Sequence, residues 1–66
     1  MKMSYLNKNN NEKVLDVPDA CVYLIMCHRR DNDRTTREAA IDCLMEHGFT
    51  VTQAKALTAH TSRIID

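Results

Sequence analysis

Ala20-Cys21-Val22-Tyr23-Leu24-Ile25-Met26-Cys27 is an eight-residue apolar run without a charge in a chain that otherwise alternates apolar and polar positions. Read as a helix over about residues 18–30, it has matching ends. Pro18 suits a first helical turn, Asp19 stands at the positive end of the helix dipole, and Arg29 and Arg30 stand at the negative end. Val22-Tyr23-Leu24-Ile25 is also β-prone, but a strand would leave Pro18 and the flanking charges badly placed. Val22 to Met26 occupy five successive positions and so point in every direction around a helix. Two further helices cover about two-thirds of such a circumference at most. Val22, Tyr23, Ile25 and Met26 are therefore expected at a homodimer or partner interface. The rival expectation is an ordinary core helix with the N-terminal segment folded over it.

A chain of 66 residues makes one domain, and a core of this size is marginal without a crosslink, a metal or a second subunit. Nine basic and nine acidic side chains cancel, so no global field steers the protein to nucleic acid or an anionic membrane. Any such binding must come from local segregation of charge. The cysteine count is three, and Met1-Lys2 is followed by polar residues rather than an apolar signal core. Reduced thiols in a cytoplasmic setting are expected. No apolar run approaches the length that spans a bilayer, so no membrane partner is expected.

Outward from the first helix, residues 1–16 read as a flexible polar arm. Asn7, Asn9, Asn10 and Asn11 with Lys2, Lys8 and Lys13 have little to bury, although Met3, Tyr5, Leu6, Val14, Leu15 and Val17 form small apolar islands. After Arg30, a short polar connection leads to Thr35-Thr36-Arg37-Glu38, a capping box that opens a second helix over about residues 36–47. Ala40, Ile41, Leu44 and Met45 form its apolar face, and Gly48 with Phe49 provides a left-handed stop. Thr50-Val51-Thr52-Gln53 is another capping box, opening a third helix over about residues 51–64 with Ala54, Leu57, Thr61 and Ile64 inward. The expected fold class is all-α: three helices in residues 17–66 behind the arm.

The second and third helices, with Gly48 at the turn, Phe49 after it, Thr50 as hydroxyl cap and Leu57 late in the third helix, resemble the helix-turn-helix family of DNA-binding modules. The resemblance runs from Ala40 to Ala59 and implies a small DNA-binding regulator with its third helix in the major groove. Leu44-Met45-Glu46-His47-Gly48-Phe49 is also similar to the loop of ubiquitin-associated domains, which implies no more than a protein-binding module or inhibitor. Charge patterning adds that no acid lies between Glu46 and Asp66, whereas Thr52, Gln53, Lys55 and Arg63 are donors suited to phosphates and base edges. Arg29, Arg30, Arg34 and Arg37, with His28, form another basic cluster suited to backbone phosphates.

Cys43 and His47 stand at i and i+4, a spacing that presents two metal ligands on one helix face, with Cys27 and His28 as possible additions. No Cys-x-x-Cys element accompanies them, so these cysteines are expected to be structural, with no metal or cofactor. No glycine-rich loop or signature spacing fixes a nucleophile, base and orienting acid, so no catalytic residues and no enzyme activity are expected.

Overall fold

The computed structural model describes every residue from Met1 to Asp66, and it opens on strands. The elements run β1 (Lys2–Leu6), β2 (Glu12–Asp16), α1 (Asp19–Asp31), α2 (Arg34–Glu46), α3 (Val51–Thr58) and β3 (Arg63–Ile64). The strands form one antiparallel sheet in the order β2-β1-β3. The fold is therefore α+β, and the all-α expectation is corrected at both ends of the chain.

At the N-terminal end, residues 2–16 form a hairpin where a polar arm was expected. Lys2 pairs with Asp16, Met3 with Leu15, Ser4 with Val14, Tyr5 with Lys13 and Leu6 with Glu12. The asparagines build its turn instead of fraying it: Asn7 Oδ1 accepts the backbone N–H groups of Asn9 at 2.9 Å and Asn11 at 3.0 Å. Asn10 takes φ +63°, a left-handed conformation that asparagine tolerates better than most residues. Alternation along β1 turns Met3 inward, fully buried, with Tyr5, Leu15 and Ile64 packed against the same core.

At the C-terminal end, α3 stops at Thr58, six residues before the expected limit. Thr58 Oγ1 bonds back to the Ala54 carbonyl at 3.0 Å, a competitor to continued helix, and Ala59 adopts an extended ψ of 149°. Residues 63–64 then complete the sheet, Ile64 opposite Met3 and Arg63 opposite Ser4. Pairing the free edge of β1 outweighs the weak helix propensity of a segment holding Thr58, Thr61 and Ser62.

The helices follow their local signals closely. α2 ends in a Schellman arrangement: Phe49 N–H donates to the Leu44 carbonyl at 3.1 Å, Gly48 N–H to Met45 at 3.0 Å, and Gly48 has φ +93°. The Thr50 and Gln53 capping box opens α3 with both reciprocal bonds made. The N-cap of α2 is Asp33, whose carboxylate accepts from Thr35 N–H at 3.1 Å, rather than the expected Thr35. In α1, burial follows a single stripe through Cys21, Val22, Ile25 and His28. Met3, Val17, Ala40, Leu44, Ala54 and Leu57 close the core around it.

Candidate functional site

α1 and α2 run side by side in opposite directions, which gives the bundle two chemically different ends. The C-terminus of α1, the N-terminus of α2 and the segment after α3 meet at one end; the N-terminus of α1 and the C-terminus of α2 meet at the other.

The first end carries Arg29, Arg30, Arg34, Arg37 and Arg63 with His28 and His60, against the acids Asp31, Asp33 and Glu38. These groups differ greatly in availability. Arg29 is a structural clamp. Its Nη2 donates to the carbonyls of Ala59 at 3.1 Å and Ser62 at 2.8 Å, and to Ser62 Oγ. It thus ties α1 to the connection between α3 and β3, and desolvation lowers its pKa. Its Nε is buried without a partner. His28 is buried as well, its Nδ1 3.2 Å from the Asp33 carbonyl and its ring centroid 5.3 Å from that of His60.

Arg30 and Arg34 are exposed but paired. Arg30 makes two bonds to the Asp31 carboxylate, at 2.8 and 3.1 Å, which raise the guanidinium's pKa and lower that of the carboxyl. Arg34 Nε lies 3.4 Å from Glu38. Arg37, Lys55 and Arg63 are exposed and make no ion pair. Of the α3 residues expected to read bases, Thr52 and Lys55 are exposed, whereas the Gln53 side chain is held in the capping box. An open groove between β1 and the 60–63 turn adds Tyr5, His60 and Thr61 beside Arg63, with Glu12 at its rim. The hairpin hid this groove from the sequence reading, because Tyr5 is distant in sequence from His60.

The expected interface residues of α1 also separate. Val22 and Ile25 belong to the protein's own core, 2% and 0% exposed, while Tyr23 and Met26 are 66% and 52% exposed. A second subunit at this helix would meet Tyr23 and Met26, and not the full ring of apolar residues.

The opposite end gathers Cys21, Cys43 and His47. The Cys21 and Cys43 Sγ atoms stand 2.7 Å apart, and His47 Nδ1 is 3.6 Å from Cys21 Sγ. Burial pushes the Cys21 thiol up to about 12, assisted by its contact with Cys43 and by the negative charge of Glu46. The sequence reading paired Cys43 with His47 but looked to Cys27 and His28 for further ligands. The helix hairpin supplies Cys21 instead, since antiparallel packing brings the start of α1 against the end of α2.

No protein-family model, no curated protein and no solved structure matches this chain. No helix is long and apolar enough to cross a membrane.

Proposed function

We propose that this protein is a small, non-enzymatic nucleic-acid-binding protein that docks its arginine-bearing end on backbone phosphates and lays α3 alongside them. The single observation that carries this reading is the segregation of charge in a chain of zero net charge. Arg30, Arg34, Arg37 and Arg63, with the clamp Arg29, outnumber Asp31, Asp33 and Glu38 at one end, and the acid-free segment from His47 to Ile65 runs toward it. Arg37, Lys55 and Arg63 are free to meet phosphates. The exposed pairs Arg30–Asp31 and Arg34–Glu38 are weak enough in water to be exchanged for phosphate contacts. Thr52 and Lys55 share the solvent side of α3, where they can reach base edges. A cytoplasmic setting goes with the reduced thiols of this reading.

The test is a mobility shift of mixed-sequence duplex DNA across a salt series. Neutralising three to five phosphates gives a slope of log K against log salt of about −2.7 to −4.5. Arg30→Ala should weaken binding to every sequence alike and make the slope shallower by about one, whereas Lys55→Ala should act more selectively. No retardation at micromolar protein and low salt refutes the reading. A second reading, a protein-binding module, is favoured by the exposed Tyr23 and Met26 at i and i+3 on α1. Binding through that face would be nearly independent of salt.

A further inference from the structure

The cluster of Cys21, Cys43 and His47 has no part in the nucleic-acid reading and lies at the other end of the bundle from the arginines. Its three donor atoms, two sulfurs and an imidazole nitrogen, lie within 4.8 Å of one another. We propose that Cys21, Cys43 and His47 bind a thiophilic divalent cation, zinc foremost, with a fourth coordination position open to water.

One of the three donor distances already fits a shared ion, and a small movement of one cysteine supplies another. Around tetrahedral zinc, with bonds of about 2.3 Å to sulfur and about 2.0–2.1 Å to nitrogen, a thiolate and an imidazole nitrogen stand about 3.6 Å apart. Cys21 Sγ and His47 Nδ1 already stand at 3.6 Å. Two thiolates on the same ion stand about 3.8 Å apart, so the 2.7 Å thiol pair must open by about 1 Å. Cys43 is half-buried and Cys21 is fully buried, so the movement falls to Cys43, the thiol nearer solvent. A thiol pair uses two of the three clustered groups, whereas a metal uses all three. Two thiolates and one imidazole also select zinc over the hard cations magnesium and calcium, which take oxygen ligands.

His47 must exchange one bond to become a ligand. Its Nδ1 lies 2.9 Å from the Cys43 carbonyl, which it serves as donor. That carbonyl also accepts the His47 backbone N–H at 3.3 Å, so it keeps a partner when the ring releases it. The imidazole then carries its proton on Nε2 and offers the Nδ1 lone pair. Binding is an acid–base event without redox change: zinc(II) displaces one proton from each thiol, forms two sulfur bonds and one nitrogen bond, and releases two protons. Glu46, whose negative charge acts on Cys21, lowers the cost of bringing a cation to this end. The ion would join the first turn of α1 to the last turn of α2, a crosslink suited to a domain this small.

Cobalt(II) is the probe, added to the full chain in a reductant that does not bind metals. The expected result is one ion per chain, with the intense visible bands of tetrahedral cobalt and a thiolate-to-cobalt charge-transfer band. Zinc should displace the cobalt. Cys43→Ser and His47→Ala should each weaken binding on the order of tenfold or more, and Cys27→Ser should leave it unchanged. His47 is exposed, so His47→Ala keeps the fold and its circular dichroism verifies this. Cobalt binding unaltered by His47→Ala, or no tetrahedral spectrum at all, overturns the proposal. So does a Cys21–Cys43 disulfide formed in glutathione buffer by a chain that, when reduced, binds no cobalt; the pair would then be a redox crosslink.

Discussion

Met3→Ala asks whether the N-terminal hairpin belongs to the cooperative core. Met3 lies in the central strand β1, fully buried in the cluster that includes Val17, Cys21, Val22, Ile25 and Leu57. Truncating a buried methionine to alanine costs about 2–5 kcal/mol, the lost transfer energy plus the cavity left behind. A domain of this length has about 3–10 kcal/mol to lose. With a cost of about 3 kcal/mol and a urea dependence of about 1 kcal/mol/M, the unfolding midpoint should fall by about 3 M. The melting temperature should fall by about 12–24 °C. Leu6→Ala is the control within the same strand, because Leu6 is 55% exposed and its loss should stay within about 0.5 kcal/mol. Equilibrium urea unfolding followed by circular dichroism, with tyrosine fluorescence as a second probe, measures both. A Met3→Ala midpoint no lower than that of Leu6→Ala would refute the reasoning and leave residues 1–16 as the polar arm.

Arg29→Ala should destabilise the fold by about 2–3 kcal/mol, since charge-assisted bonds to the Ala59 and Ser62 carbonyls are lost. Arg29→Lys should recover little, as an ammonium lacks the fork. Urea midpoints decide this, and an unchanged midpoint would return Arg29 to the list of free cations. Ile25→Glu should unfold the chain at every concentration by placing a carboxylate in the core, whereas Tyr23→Glu and Met26→Glu should keep the fold and abolish any self-association. Sedimentation across a concentration series separates these outcomes, and a folded Ile25→Glu chain would contradict the assigned core. The reduced, ion-free protein should also lose stability at high pH through Cys21. Burial pushes its folded pKa to about 12, above the ordinary thiol value of 9.0, so burying the neutral thiol is favourable below pH 9, and this contribution disappears as pH rises from 9 to 12. The gap in urea midpoint between the parent and Cys21→Ala should narrow across that window; a constant gap would show that the thiol is not desolvated.

Short-range signals were the legible part of this chain. Gly48-Phe49 and Thr50-Val51-Thr52-Gln53 each act within about five residues, and the stop of α2 and the start of α3 fall where those residues place them. The stretch Ala20–Cys27 is helical for the same kind of reason, with an acid at its start and bases at its end. Its all-round apolar character implied uncovered residues, and Tyr23 and Met26 are exposed, but only packing decides that Val22 and Ile25 are the covered ones. In the candidate site, the Cys43 and His47 spacing was visible as one helix face, while Cys21 was not.

Features that one residue imposes on its near neighbours could be read from the chain alone: the end of α2, the start of α3, a left-handed stop, the i to i+4 spacing of Cys43 and His47 and the acid-free run before Asp66. The tertiary structure decided everything that depends on partners distant in the chain. Lys2–Leu6 and Glu12–Asp16 are individually short and charged, and they become strands because the asparagine turn sets their register and the inward side of β1 completes the core. Residues 63–64 leave the helical pattern because Met3 and Ser4 offer unmade backbone hydrogen bonds. Arg29 becomes a clamp because the end of α1 faces the carbonyls of Ala59 and Ser62. In each case a contact between remote segments outweighs a local preference, since local propensities are worth tenths of a kcal/mol per residue and a buried side chain or a charged hydrogen bond is worth several times more.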